Sequence, residues 1–293
     1  MPELPEVETI RRDLAPALRG ARIESVRVAP DAGQVVQAPS PEALDAALRG
    51  RRIAEIRRRG KYLIFELDGG GALVVHLGMT GALLLRRVGD PPDPYTRVVF
   101  ALDRGRELRF SDLRKFGRVR LVDDPEEVVG KLGPEPLDGL TAERLRAIFA
   151  RRAAPVKAVL LDQEAIAGIG NIYADESLFR AGIHPLRPAN SLRRAELERL
   201  AAAIPETLEE AMGHRGSSYR DYRDAEGREG THQFYVRVFR RTGQPCFVCG
   251  APIQRITLAG RGTHFCPRCQ PAPRRRPTRG RTALARGRRA PVA

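Results

Sequence analysis

The stretch Tyr62-Leu63-Ile64-Phe65-Glu66-Leu67-Asp68-Gly69-Gly70-Gly71-Ala72-Leu73-Val74-Val75-His76-Leu77 decides the fold class. Two apolar runs of strand length flank an Asp-Gly-Gly-Gly turn, a strong hairpin signal. Runs of the same kind follow at Ala82–Leu85, Val98–Leu102, Glu107–Phe110 and Arg118–Val122, with Asp103-Arg104-Gly105 as another turn. Strands this close together predict a sandwich or barrel over residues 21–122, and no parallel α/β pattern appears. Upstream, Val7, Ile10, Leu14 and Leu18 fall at helical spacing and Gly20 is placed to end the helix. Pro16 is expected to kink or shorten its last turn.

Beyond Gly133-Pro134-Glu135-Pro136 the pattern becomes helical. Thr141 is placed as an N-cap ahead of Leu145, Ile148 and Phe149. Pro155–Asp162 and Ile172–Arg180 read as further helices, the second ended by Gly182. Ser191 caps a longer stretch that Pro205 bends. Residues 213–231 are polar and rich in Gly and Ser, and read as a mobile loop; Phe234–Phe239 reads as a returning strand. The class is therefore α+β, in a chain whose 293 residues suffice for two domains, each with its own core. After Gln270 a Pro/Arg-rich tail has almost nothing to bury and is expected to be disordered.

The formal net charge is +15. Residues 271–293 hold eight Arg and no acidic residue, and taking those eight from +15 leaves +7 on residues 1–270. A body that is basic without its tail suits a polyanionic partner, nucleic acid or an anionic membrane surface; Arg enrichment throughout a GC-rich genome would give the same balance. No apolar run approaches the roughly 20 residues of a bilayer crossing, and no signal-peptide pattern opens the chain. The expectation is a cytoplasmic or nucleoid location without a membrane partner.

All four cysteines lie in one region, Cys246, Cys249, Cys266 and Cys269, as two C-x2-C pairs. Such pairs bend so that both sulfurs reach one tetrahedral zinc, and four thiolates close the shell, so the ion would be structural. Inert or redox-active thiols are the alternative, and His264 lies near enough to stand in as a ligand. Between the pairs, Ala259-Gly260-Arg261-Gly262-Thr263 is either a hairpin tip shaped to approach a phosphate or an ordinary solvated turn.

Pro2 is small enough for Met1 to be removed, which would leave a secondary amine at the chain end. An α-amino group is roughly 10% unprotonated at pH 7, against about 0.04% for Lys. Such an amine can form an iminium with an aldehyde-like sugar carbon, while Glu3 and Glu6 beside it handle protons. By themselves Pro2 and Glu3 decide nothing, since Pro is common at position two and acidic residues commonly begin helices.

A wider pattern gives them meaning. Met1-Pro2-Glu3-Leu4-Pro5-Glu6-Val7-Glu8-Thr9, Gly60-Lys61-Tyr62-Leu63, His76-Leu77-Gly78-Met79-Thr80-Gly81 and Ser111-Asp112-Leu113-Arg114-Lys115-Phe116-Gly117 occur in that order. Leu132-Gly133-Pro134-Glu135-Pro136-Leu137, Gly168-Ile169-Gly170-Asn171-Ile172-Tyr173-Ala174-Asp175-Glu176 and the cysteine region follow. Over residues 2–270 this resembles the formamidopyrimidine-DNA glycosylases, bifunctional DNA glycosylase/AP lyases of base-excision repair.

The resemblance implies an N-terminal helix with a two-layer antiparallel β-sandwich (1–132), a helical helix-two-turn-helix domain with a lesion-capping loop (133–233), a β-hairpin zinc finger (234–270) and a basic tail (271–293). It implies excision of oxidised purines from double-stranded DNA and β,δ-elimination at the abasic site. Pro2 would be the nucleophile and Glu3 the general acid/base, with Glu6 holding that end of the helix. Lys61, Asn171 and Arg261 would grip phosphates by the lesion, Arg261 and Lys61 counting with the catalytic set. Met79, Arg114 and Phe116 would fill the space an extruded base leaves. One structural Zn2+ per chain, no organic cofactor and action as a monomer complete the expectation. His76, His184, His214 and His232 stay outside the catalytic set.

Two rivals remain at this stage, an endonuclease VIII-like enzyme for oxidised pyrimidines and a non-catalytic zinc protein that binds damaged DNA. Leu4–Thr9, Met79 and the Arg114/Phe116 pair favour the purine enzyme, and a binder would not need a free Pro2. The chain departs from the family at Arg240-Arg241, where Gly-Arg is common, and in its tail, which is either a neutral extension or a DNA tether. If it is a tether, deleting 271–293 weakens bulk DNA binding and flattens its salt dependence while single-turnover excision is nearly unchanged. Equal salt slopes for the two forms would contradict the tether.

Overall fold

A computed structural model describes residues 2–91 and 93–272. Helix α1 (Leu4–Leu18) leads into β1 (Ile23–Val28), β2 (Val36–Ala38), α2 (Pro41–Leu48) and β3 (Ile53–Arg59). Then come β4 (Tyr62–Leu67), β5 (Ala72–His76), β6 (Gly81–Arg87), β7 (Thr96–Leu102), β8 (Arg106–Asp112) and β9 (Arg118–Val122). These strands form two sheets, ordered β1-β7-β8-β6 and β2-β9-β5-β4-β3. The β4–β5 hairpin pairs Tyr62 with His76 and Glu66 with Ala72, as the sequence predicts. All pairings are antiparallel except the short β2, which lies parallel to β9.

The short α3 (Glu126–Val129) packs Val129 on Ile64 and Val74 of the sandwich; the helical half contains α4 (Ala142–Phe149), α5 (Val156–Leu161), α6 (Asn171–Ala181) and α7 (Arg194–Gly213), and β10 (Gln254–Leu258) pairs with β11 (Arg261–Phe265) as a terminal hairpin. Helix α1 serves both halves. Val7, Ile10, Leu14 and Leu18 enter the sandwich core, whereas Leu4 enters the helical core with Ile169 and Tyr173. The linker is clamped too. Glu135 takes Arg58 at 2.7 Å and Arg59 at 3.0 Å and accepts the Gly60 amide, which fixes the turn before Lys61.

Several sequence expectations need correction. Helix α1 runs through Pro16 to Leu18 unshortened. Helix α7 begins at Arg194, and Ser191 closes a separate 3-10 turn. Phe234–Phe239 is no strand: its alternating pattern is real, but the amides of Arg237, Val238 and Phe239 donate to the buried carboxylate of Glu176 instead of a partner strand.

The 213–231 loop is tied down. Tyr222 and Ala225 enter the sandwich core, and Arg215, at φ 60, bridges Asp13 of α1 and the buried Asp224, 2.6 Å from each. Polar side chains pack inside when their partners are supplied, so polarity misleads here. Of the tail expected to be disordered, residues 273–293 lie outside the described residues. Among the described residues no helix is long and apolar enough to cross a membrane.

Candidate active site

A cleft of about 290 Å³ opens where the sandwich loops face the helical half and the terminal hairpin. Five residues singled out from sequence line it: Glu3, Met79, Arg114, Asn171 and Arg261. Pro2, buried, directly precedes Glu3 at the head of α1. Lys61, buried, and Phe116, half-exposed, do not line it.

The Glu3 carboxylate rests on the first turn of α6, accepting the Ile172 amide at 3.0 Å and the Tyr173 amide at 3.3 Å. A helix N-terminus presents unpaired N–H groups and a positive dipole end, so an anion belongs there. The turn before α6 must be glycine for this approach: a Cβ on Gly170 would lie 2.2 Å from the Glu3 carboxyl carbon, and one on Gly168 2.6 Å from Leu4. The Leu4 amide donates to the Gly168 carbonyl at 3.0 Å, locking the two segments together.

Burial pushes the Glu3 carboxyl above its ordinary value, while Lys61 and the two α6 amides pull it back. Glu6 is raised to about 6, first by burial and then by the negative charge of Glu3. It accepts the Glu3 amide at 2.8 Å, the Ser217 amide at 2.7 Å and the Tyr173 hydroxyl, so it ties α1 to the loop over the cleft.

Lys61 is buried and donates to the Ile169 carbonyl at 3.0 Å; burial lowers its pKa and the charge of Glu3 offsets that. Asn171 donates to the Gly262 carbonyl at 3.1 Å, leaving its buried Oδ1 without a partner. The hairpin bearing Arg261 is held from below. Lys157 and Asp175, both fully buried, pair at 2.7 Å; Lys157 also reaches the Gly262 carbonyl and the Thr263 hydroxyl, and Asp175 accepts the His264 amide at 2.9 Å.

On the opposite lip the three side chains expected to fill a void stand together. Met79 and Phe116 are 40% and 46% exposed, and the Arg114 guanidinium lies 4.5 Å from the Phe116 ring centre and 3.3 Å from the Met79 sulfur. Sequence reasoning missed Leu113, 47% exposed beside them, and Tyr219 across the cleft, and named Arg240 only as a departure from the family. Arg240 takes the left-handed backbone that a glycine would take, at φ 59, and lays its guanidinium over the Tyr219 ring. That a charged residue stands in such a turn was the available signal. His76 accepts the Gly78 amide and lies tilted against Tyr62, and burial lowers its pKa to about 4.

The cysteine sulfurs all lie within 4.8 Å of one another, Cys246–Cys269 at 3.9 Å and Cys249–Cys266 at 3.4 Å. Four thiolates at ~2.3 Å from one tetrahedral zinc would stand about 3.8 Å apart, so the set fits the ion. His264 is no substitute ligand, because its ring pairs with Asp175 at 3.2 Å.

Three families match the chain in succession: the formamidopyrimidine-DNA glycosylase N-terminal domain over residues 1–119, the H2TH domain of the same enzymes over 132–223, and the zinc finger found in FPG and IleRS over 243–272. The formamidopyrimidine-DNA glycosylase of Herpetosiphon aurantiacus is 48% identical over 275 residues, covering 92% of this chain and all of that protein. The chain belongs to the formamidopyrimidine-DNA glycosylase family. A second relative of that name, from Moorella thermoacetica, is 52% identical over 87% of this chain and 94% of its own length.

Solved structures agree. The MutM (FPG) protein of Thermus thermophilus superposes with a TM-score of 0.81 at 45% identity, covering 92% of this chain and 98% of its own. The Lactococcus lactis enzyme, solved with DNA containing an abasic site, gives 0.85 at 37% identity over 92% of this chain and 100% of its own. Family membership and the four-sulfur cluster together assign one structural zinc to the hairpin. Chelating it should release the seat of Arg261 and abolish specific duplex binding, with about one zinc liberated per chain in a colorimetric assay. Full duplex affinity in metal-free protein would contradict this.

Proposed function

We propose that this protein is a base-excision-repair enzyme that removes oxidised purines (8-oxoguanine and formamidopyrimidines) from duplex DNA and then cleaves the abasic site. One observation carries the reading: a buried acid with a raised pKa, next to Pro2, at a cleft that opposes phosphate-binding groups to exposed filler side chains. The names of its relatives support it, as does the L. lactis enzyme's crystallisation with both Fapy-dG and abasic-site DNA. The same reading takes residues 1–132, 133–233 and 234–270 as the domains and a bacterial cytoplasmic monomer as the working form.

In this mechanism Pro2 acts as the first residue of the mature chain. Its nitrogen lone pair attacks C1′ of an extruded nucleotide; the glycosidic bond breaks, the base leaves with the bonding pair and takes up a proton, and the attacking nitrogen gives up its own N–H proton. The sugar ring opens as O4′ is protonated, leaving an iminium between Pro2 and C1′. That cation acidifies the C2′ hydrogen; its removal expels the 3′ phosphate, and a second elimination expels the 5′ phosphate. Glu3 gives and takes the protons, a task suited to a carboxyl shifted toward neutrality. Lys61 steadies the ionised form of Glu3, while Asn171 and Arg261 hold the phosphates of the bent strand. Zinc supplies no step; its four thiolates hold the hairpin.

Borohydride reduces an iminium to a permanent amine and so tests the mechanism. Protein with a free Pro2 should be trapped on lesion-bearing DNA. Pro2→Gly, and protein keeping an N-terminal extension, should trap little. Undiminished trapping by the extended form would overturn the assignment of Pro2.

A further inference from the structure

Met79, Leu113 and Phe116 are half-exposed on two short loops. Their placement comes from behind. Asp112 ends β8 with no exposed surface. One carboxylate oxygen accepts the Thr80 hydroxyl and the Arg114 amide, the latter at 3.1 Å; the other accepts the Gly117 amide at 2.7 Å. The Arg114 amide also reaches the Thr80 hydroxyl at 3.1 Å. Thr80 follows Met79, while Arg114 and Gly117 bracket Phe116, so one side chain holds both loops.

Asp112 is itself fixed by its backbone. Its amide donates to the Tyr95 carbonyl at 2.9 Å and its carbonyl accepts Arg97 Nε at 2.9 Å. Among the described residues no cation lies within ion-pair distance of its carboxylate. A buried charge without a counter-ion is costly unless hydrogen bonds replace its lost water. The donors that do so belong to the two loops. The charge therefore depends on the loops' arrangement as much as the loops depend on it.

We propose that Asp112 is the positioning residue for the void-filling side chains: its buried carboxylate sets the distance between the loop of Met79 and the loop of Arg114 and Phe116. The proposal rests on the reading of that trio as space-filling groups in duplex DNA. Asp112 touches neither DNA nor the reacting atoms. An asparagine at this position has the same shape but turns an amide NH2 toward one set of donors, so one loop loses its anchor.

The test uses a duplex with a non-cleavable abasic-site analogue opposite 2-aminopurine, whose fluorescence reports unstacking of the orphaned base. Wild-type protein should change the signal on binding, and Met79→Ala and Phe116→Ala should blunt the change. Asp112→Asn should blunt it similarly and slow 8-oxoguanine excision from duplex about ten- to a hundredfold, the scale of a misplaced positioning element. Borohydride trapping on a preformed abasic site should stay near wild type. Thr80→Ala should reproduce part of the loss and Thr80→Ser should restore it; these variants carry the test if Asp112→Asn fails to fold.

If Met79→Ala and Phe116→Ala leave the signal intact, the void-filling reading itself fails. If they blunt it while Asp112→Asn and Thr80→Ala do not, the role of Asp112 alone is refuted. Parallel loss of trapping, fluorescence change and thermal stability in Asp112→Asn and Thr80→Ala would also refute it, marking Asp112 as a general fold residue.

Discussion

The carboxylate of Glu3 lies in the open first turn of α6, held by amides 169 and 170 positions further along the chain. Hydrogen bonds from α6 and the charge of Lys61 favour its ionised form; the loss of water on burial favours its proton. Burial outweighs them, and the raised pKa that results suits the proton exchange proposed for this group. The same contact joins the two halves of the molecule. Leu4 enters the helical core one residue later, and Glu6 reaches Tyr173 and Ser217. Chemistry and architecture share one seat.

From that seat the remaining elements fall into two groups. Behind and below it, buried polar contacts fix positions: Glu135 on the turn before Lys61, and Lys157 and Asp175 under the Arg261 hairpin. Across the cleft, exposed Met79, Leu113 and Phe116 stand ready to meet a surface that is not their own. The proposed insertion of side chains into a duplex needs both, a rigid support and an apolar edge left in water.

Much of this was legible in the sequence because its signals are local. The β4–β5 hairpin announces itself by an Asp-Gly-Gly-Gly turn between apolar runs, α1 by its apolar spacing, and the metal site by two C-x2-C pairs. Helix α2 also carried a local signal, Ser40 as N-cap with Pro41 at its first position, but only eight residues separate that signal from the next turn. What escaped depends on distant partners. Val236 and Val238 alternate like a strand, yet Glu176, some sixty residues earlier, takes the amides from Arg237 to Phe239. The 213–231 loop is polar and still fixed, because Asp13 and Glu6 on α1 supply its partners. The expected site residues came from motifs; the burial of Lys61 and the hub at Asp112 arise from contacts between segments far apart in the chain.

The direct measurement is an NMR titration of the Glu3 side-chain carboxyl in the free protein, with the Ile172 and Tyr173 amides followed alongside. The account predicts a midpoint above the ordinary glutamate value, with both amide signals shifting at the same pH. A midpoint at or below that value, or amides indifferent to the titration, would contradict it.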